Sequence, residues 1–218
     1  MASEAWQCPT LLLNGFGEHR IEGIGDKHVP WVHNVRDTDA VAAIDDEDCL
    51  RILRLFNEPA GREHLVARGV GEGEVEQLGW LGISSIANLL AAIKTAKYFE
   101  LGEADLLLTV FTDSTDLYAS RLAELREQRG AYTEKDAVAD YAGPLAHQGR
   151  DGFKELTYPE RKAIHNLKYY MWVEQQGKTV QELNAQWDPE YWRARFEDEV
   201  AYFDQLITEF NRQAGAAD

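Results

Sequence analysis

The 218-residue sequence has few cysteines and no long apolar run. Cys8 and Cys49 are isolated, so they offer neither a disulfide framework nor the paired spacing of a zinc site. We interpret both as small buried hydrophobic residues and not as nucleophiles. No apolar stretch approaches the roughly 20 residues that a membrane helix requires, and the first nine residues lack the basic start and apolar core of a signal peptide. These absences predict a cytoplasmic protein with no membrane partner.

Basic residues are also scarce. The sequence has 22 Lys and Arg against 38 Asp and Glu, a formal net charge of −16. Nucleic acids and anionic membranes are bound through a basic surface, so this balance argues against both as partners. The 44% hydrophobic fraction is typical of a folded domain and not of a disordered chain.

Residues 1–125 alternate between strand and helix signals. Four short apolar segments are strand candidates: Leu11–Leu13, Ala40–Ile44, Leu81–Ile83 and Asp105–Phe111. Asp45 follows the second run as a predicted helix N-cap, and Ser84-Ser85 is predicted to cap a helix over 86–99. This alternation predicts an α/β fold, a partial parallel sheet with flanking helices.

Residues 126–218 read as an α-helical C-terminal extension. Thr157 and Thr179 each begin a capping-box pattern, and Asp188 precedes a proline at the start of the last helix. That helix carries apolar side chains three or four residues apart: Trp192, Phe196, Val200, Phe203, Ile207 and Phe210. The spacing predicts an apolar packing face.

Three segments are candidates for a site, each with a plainer local interpretation. Gly23-Ile24-Gly25 permits close backbone approach to a flat ligand, but taken alone it is more typical of a plain loop. Ser84 and Ser85 precede a helix, whose N-terminus attracts anions, but they are also good caps. Ser114 follows a predicted strand, where ligands bind in open α/β sheets, but it or Asp113 is also suited to cap a helix.

The order of these segments resembles the C-terminal half of the cysteine synthase and cystathionine β-synthase family of pyridoxal-phosphate enzymes. The resemblance covers roughly residues 19–122 and rests on five motifs in sequence: Glu22-Gly-Ile-Gly25, Val29-Pro30, the acidic helix start Asp45–Asp48, Gly82-Ile-Ser-Ser85 with Ala87-Asn88, and Thr112-Asp-Ser114 with Tyr118. Ile86 and Thr112 stand where the family commonly has glycine and proline, and residues 57–79 form an insertion.

The resemblance implies roles for individual residues. Ser114 aligns with the serine that hydrogen-bonds the pyridine nitrogen of the cofactor, and Gly23, Ile24 and Gly25 align with backbone that lines the cofactor and substrate cleft. Ser84 and Ser85 align with the turn beneath the sheet near that site. The family's lysine motif, phosphate loop and substrate-carboxylate segment all belong to the N-terminal half, so the resemblance implies that a partner supplies the Schiff-base lysine.

The chain's own residues offer no clear replacement for that half. Lys94 and Lys97 lie on a predicted helix and are expected to be solvated, whereas Lys27 and Lys168 remain open. Asp26, His28 and His33 invite a metal interpretation, but their spacing matches no zinc pattern, so no metal is predicted.

The expected function is therefore that of one part of a pyridoxal-phosphate enzyme, inactive alone. The resemblance implies β-elimination or β-replacement on a serine- or cysteine-like amino acid, in a hetero-oligomer that shares pyridoxal 5′-phosphate between this chain and its partner. Two alternatives stay open: a non-catalytic interaction or regulatory module derived from such an enzyme, and an excised piece of a longer one.

Overall fold

The computed structural model describes residues 1–215, which divide into two units. The first comprises residues 1–27 and 38–157, and the second comprises residues 28–37 together with the chain from Tyr158 onward. The boundary that we predicted between residues 125 and 126 therefore lies inside the first unit. Residues 126–157 belong to the first unit because Ala137 lies in its core and Arg51 forms an ion pair with Asp140 there.

The first unit contains a three-stranded sheet. Its strands, in the spatial order β1-β2-β3, are β1 (Ala2–Ala5), β2 (Ala40–Ile44) and β3 (Phe153–Glu155). β1 runs parallel to β2, with Ala2 opposite Val41, whereas β3 is antiparallel to β2, with Ala42 opposite Phe153. The sheet is thus mixed, and the prediction of a parallel sheet holds for one pair of strands only. β3 also adds a strand to a region that we expected to be wholly helical.

Helices flank this sheet, as expected for an α/β fold. They are α1 (Thr10–Leu13), α2 (Asp46–Asn57), α3 (Pro59–Ala67), α4 (Glu72–Gln77), α5 (Ile83–Tyr98), α6 (Ala119–Arg129) and α7 (Glu134–Asp140), with shorter helical turns at Leu78–Trp80, Thr115–Tyr118 and Tyr141–Ala146. All five residues of β2 are buried, and α5 and α2 pack together over the core that they form with the sheet.

Two local predictions have different outcomes at the start of the first unit. Asp45 is the N-cap of α2, and its carboxylate accepts a hydrogen bond from the Glu47 N–H at 2.8 Å, so that prediction is confirmed. Leu11–Leu13 is a helical turn and not a strand. The Glu4 carboxylate accepts hydrogen bonds from the N–H groups of Leu11 and Leu12, both at 2.8 Å, and this satisfies the free donors of the turn.

The other two strand predictions in the first unit are wrong. Residues 81–83 lead directly into α5, which begins at Ile83 with Gly82 as its N-cap, so Ser84 and Ser85 lie inside the first turn. Residues 105–111 form no part of the sheet and have no regular secondary structure.

The second unit is helical. Its α-helices are α8 (Tyr158–Asn166), α9 (Val180–Ala185), α10 (Pro189–Arg193) and α11 (Val200–Ala214), with π-helical turns at Tyr169–Val173 and Ala194–Asp198. Thr179 forms the expected capping box with Glu182, and Asp188 caps α10 through the Glu190 N–H. The predicted Thr179 capping box is confirmed, and the helix predicted to start at Asp188-Pro189 does begin there.

Lys168 connects the two stretches of sequence in the second unit. Its ammonium group is fully buried and donates to the carbonyl oxygens of Trp31 at 2.9 Å and His33 at 2.7 Å, and to Gln186 Oε1 at 2.7 Å. Burial lowers the pKa of Lys168 to about 7. These contacts explain why residues 28–37 belong with the C-terminal helices.

The apolar side chains of the last helix pack only at its start. Trp192 is buried, but Phe196 and Phe210 are 66% and 69% exposed, and no residue of α11 is buried. The predicted apolar stripe exists, yet it does not serve as a packing face among residues 1–215.

Candidate functional site

The site predicted from sequence centres on the N-terminus of α5, where Asp113 meets Ser85. The Asp113 carboxylate accepts hydrogen bonds from the backbone N–H groups of Ser84 at 3.4 Å and Ser85 at 3.2 Å, and from the Ser85 hydroxyl at 2.6 Å. It therefore fills the role of an N-cap from a distant segment. The approach is close, because a Cβ at Gly82 would lie 2.5 Å from Asp113 Cγ.

Tyr118 adds a further hydrogen bond to this carboxylate, donating from its hydroxyl at 2.5 Å. Burial alone would raise the pKa of Asp113, but the hydrogen bonds from Ser85, Tyr118 and Ser84 outweigh it and hold the pKa below its usual value. Burial and the Asp113 carboxylate together raise the pKa of Tyr118. Asp113 is thus an ionised structural group and Tyr118 a neutral donor to it.

Both predicted serines face this second segment. The Ser84 hydroxyl lies 3.3 Å from the Thr112 hydroxyl, and the Ser85 hydroxyl also lies 3.1 Å from the Asp113 carbonyl oxygen, to which it donates. Both serines are buried. Their hydroxyls therefore hold residues 112 and 113 against α5.

The glycine loop lies beside the same helix terminus. Gly23 and Gly25 have φ values of +88° and +92°, a region that side chains rarely adopt. A Cβ at Gly23 would meet Ser84 Cβ at 3.6 Å, which places the loop in contact distance of the α5 terminus. Ile24 is half-buried and packs against the core.

Gly25 lies at the inner side of this loop. A Cβ there would be 2.9 Å from both Ala5 Cβ and His19 Nε2, so the position requires glycine for space as well as for backbone conformation. On the outer side, Glu22 forms an ion pair with Arg121 of α6 at 2.6 Å. The loop is therefore fixed at both ends.

Ser114, the predicted ring-nitrogen contact, is placed differently from the other serines. Its hydroxyl donates only to the Asp116 carboxylate, at 3.3 Å, and it makes no cap hydrogen bond to the helical turn that follows. The side chain is partly exposed. Ser114 is thus adjacent to the Asp113 cluster but retains hydrogen-bonding capacity toward solvent or a ligand.

The structure therefore brings together three segments that are separated by about 60 and about 30 residues in sequence: 23–25, 82–85 and 112–114. Sequence reasoning missed the central role of Asp113, which was considered only as a cap for the helix after it. The signal was present as an aspartate next to the serine, but nothing local showed that it would cap α5 instead.

Lys94 and Lys97 were both expected to be solvated, and of the two only Lys97 is exposed. Lys94 is buried and not solvated, and its ammonium donates to the carbonyl oxygens of Ala43 at 3.1 Å and Asp151 at 2.6 Å. Burial lowers its pKa. Lys97 donates to the carbonyl oxygens of Ala146 and Gln148. Lys94 and Lys97 thus hold the connection before β3 against α5.

Among residues 1–215, no group of three His, Cys, Asp or Glu side chains is arranged to hold a metal ion. No single helix in this range is long and apolar enough to cross a membrane, and one bent pair, Glu72–Trp80 with Ile83–Tyr98, passes that test jointly by length and composition.

The second unit contains a cavity of about 480 Å³ with largely aromatic walls. Trp31, Trp192 and Phe196 line it, and Lys178 and Arg195 contribute charge. Both cations are already paired, Lys178 with Glu182 and Arg195 with Glu199. None of the predicted site residues belongs to this cavity.

Comparison of the chain with protein-family models, with curated proteins and with solved structures gives no significant match.

Proposed function

We propose that this chain forms part of a pyridoxal-phosphate enzyme that catalyses β-elimination or β-replacement on a serine- or cysteine-like amino acid. The supporting observation is the convergence of the segments 23–25, 82–85 and 112–114 at the N-terminus of α5. These segments carry three of the motifs that resemble the cysteine synthase family. Their meeting is what a shared site would require, and it does not follow from their sequence spacing.

The residues at this place fit one end of the cofactor. The Ser114 hydroxyl is partly exposed, and its single donor hydrogen bond goes to Asp116 at 3.3 Å. By giving up that bond, the hydroxyl can donate to a pyridine nitrogen instead. A neutral hydroxyl leaves that nitrogen unprotonated, which suits elimination and replacement chemistry. The positive-φ loop Gly23–Gly25 offers backbone without side chains to the substrate side of the cleft.

The phosphate end does not fit here. A helix N-terminus commonly binds phosphate, but the Asp113 carboxylate already occupies that of α5. A second anion at this terminus would be repelled by the first. In this proposal a partner supplies both the phosphate site and the Schiff-base lysine, in a hetero-oligomer that shares the cofactor.

The bound cofactor would supply the electron sink for breaking bonds at the α and β carbons of the amino acid. This chain's contribution is positional. Ser114 sets the protonation of the ring nitrogen, the Gly23–Gly25 backbone shapes the cleft, and Asp113 with Tyr118 fixes the 112–114 segment against α5. The partner provides the lysine that acts as proton-transfer base.

The test uses pyridoxal phosphate with this chain alone and with a candidate partner that carries a Ser-x-Lys motif and a glycine-rich phosphate loop. We expect the visible absorbance of lysine-bound cofactor, and co-elution, only in the mixture. In the complex, Ser114→Ala should shift that absorbance and lower turnover, whereas the control Ser120→Ala, an exposed serine of α6, should change neither. Absorbance with this chain alone would overturn the requirement for a partner, and an unchanged Ser114→Ala complex would overturn the role of Ser114.

A second candidate function is a non-catalytic interaction module. It is favoured by the hydrogen bonds of Ser84 and Ser85 to residues 112 and 113, within the chain itself. Of the three predicted site serines, only Ser114 is left partly exposed for a ligand. In that case the partner should co-elute with this chain while neither sample acquires lysine-bound cofactor absorbance.

A further inference from the structure

Residues 105–111 form an exposed apolar segment, Asp-Leu-Leu-Leu-Thr-Val-Phe, which precedes the candidate site directly. Leu106 and Leu108 are each 84% exposed and Val110 is 67% exposed. Burying a leucine side chain contributes about 1.5–3 kcal/mol relative to leaving it in water. A contiguous run of such side chains is typical of an interaction surface.

The backbone of this segment is also unsatisfied. Among the described residues, no backbone–backbone hydrogen bond involves Leu106–Phe111, and the Val110 carbonyl accepts a hydrogen bond only from the Asn88 side chain, at 2.9 Å. A segment whose backbone N–H and C=O groups lack partners can pair with the edge of another strand. The complement of this segment is therefore an extended chain and not a helix.

Both faces of the segment are apolar. Leu106, Leu108 and Val110 alternate with Leu107, Thr109 and Phe111, so neither side carries a charged residue. Strands with two apolar faces are those that lie inside a sheet and are covered on both sides. The occupant must therefore be apolar at its centre.

The acidic residues on both sides of the segment indicate which charge the ends of its binding partner carry. Glu103 and Asp105 precede the apolar residues, Asp113 and Asp116 follow them, and no Lys or Arg occurs between Lys97 and Arg121. Two copies of this segment would place acidic ends together in either the parallel or the antiparallel orientation, and like charges in this position are destabilising. A strand with basic ends matches the segment in both orientations.

We propose that residues 105–111 pair with an extended apolar strand of a partner polypeptide that carries Lys or Arg at both ends. Pairing would supply the missing backbone hydrogen bonds and place the partner within a few residues of Ser114. The identity of the partner as the cofactor-binding half rests on the proposed function, whereas the pairing itself requires no cofactor.

The test uses a fluorescein-labelled peptide with a Val-Thr-Val-Ile-Val centre and two lysines at each end, measured by fluorescence anisotropy against the full chain. The matched control peptide has the same centre with two glutamates at each end. We expect the lysine peptide to bind at least about tenfold more tightly, with the difference decreasing as salt is added. Hydrogen exchange should show new protection of the amides of Leu106–Phe111.

Two variants locate the binding surface. Leu108→Asp should weaken binding of the lysine peptide at least about tenfold, and because Leu108 is exposed the variant should fold normally. Phe210→Asp makes the same kind of change at an exposed apolar residue of α11 and should leave binding unchanged.

Three results with the peptides would overturn the proposal. They are no binding of the lysine peptide, equal binding of the glutamate peptide, and hydrogen-exchange protection at residues other than Leu106–Phe111. A concentration-dependent dimer of the chain that Leu108→Asp abolishes would show that a second copy occupies the segment, which also overturns it. Because these measurements contain no pyridoxal phosphate, their outcome is independent of the cofactor absorbance that tests the proposed function.

Discussion

Two apolar segments of the first unit have opposite environments. β2 (Ala40–Ile44) is buried at every residue and is paired on both sides, parallel to β1 and antiparallel to β3. The segment 105–111 has larger apolar side chains, yet Leu106 and Leu108 are 84% exposed and its backbone forms no ladder. An apolar, β-prone sequence is therefore not sufficient for a strand, which forms only where a neighbouring strand is present.

The largest expected difference between the two segments is in hydrogen exchange. The amides of Val41 and Ala42 should exchange at least about a thousandfold more slowly than those of Leu106 and Leu108, because β2 amides open only with the core. Exchange measured by mass spectrometry on the isolated chain tests this. Comparable protection in the two segments would show that residues 105–111 are already paired, and the contrast would disappear.

A matched pair of substitutions sharpens the same comparison. Ile44→Asp places an unpaired carboxylate in the core and should lower the free energy of unfolding by more than about 4 kcal/mol, or prevent folding. Leu108→Asp should change it by less than about 0.5 kcal/mol. Urea unfolding followed by circular dichroism gives both values. A large loss in Leu108→Asp would mean that this side chain is buried in solution.

Smaller losses of unfolding free energy are expected for substitutions at residues 113 and 114, which follow the 105–111 segment. Asp113→Asn removes a charged cap of α5 and should cost about 1–2 kcal/mol of unfolding free energy, a value at the upper end for helix caps. Ser114→Ala, at the next residue, removes only a hydrogen bond to Asp116 and should cost less than about 0.5 kcal/mol. Equal losses in the two variants, measured by urea unfolding, would contradict the assignment of Asp113 as the structural residue.

The smallest effect is the pH dependence that Asp113 contributes. Its pKa in the folded chain is lowered from 3.8, so the ionised form is favoured by folding. The resulting stabilisation is fully present above pH 3.8 and is lost as the pH falls through the lowered value. The unfolding free energy of the native chain should therefore decrease more steeply below about pH 4 than that of Asp113→Asn. If the unfolding free energy decreased equally steeply with pH in the two proteins, Asp113 would not be the group that causes the pH dependence.

Sequence patterns succeeded where the interaction was local. The Asp45 and Thr179 caps depend on residues two or three positions away, and both were predicted correctly. Leu11–Leu13 and residues 81–83 were mistaken for strands because the groups that decide their structure, Glu4 and Asp113, lie elsewhere in the chain. β1 and β3 were missed because each is short and gains its stability from pairing with β2.

The same distinction applies to the candidate site. The motif order indicated that the segments 23–25, 82–85 and 112–114 belong to one site, and the structure brings them together. The hydrogen-bond network within the site could not be predicted, because its central contact joins Asp113 to Ser85, which lies 28 residues earlier in the sequence. The burial of Lys94 was likewise set by distant carbonyl oxygens, at Ala43 and Asp151.

The discontinuous second unit has a consequence for the order in which the chain folds during synthesis. The hydrogen-bond partners of Trp31, Lys168 and Gln186, are synthesised 137 and 155 residues later. The partner of Arg36, Trp187, is synthesised 151 residues later. A ribosome adding roughly 5–20 residues per second would leave residues 28–37 without these contacts for on the order of ten seconds or more. The first unit can meanwhile acquire all of its sequence by residue 157. A premature stop shortly after that position would thus yield a chain with a complete first unit and an unprotected loop at residues 28–37, a preferred substrate for cellular proteases.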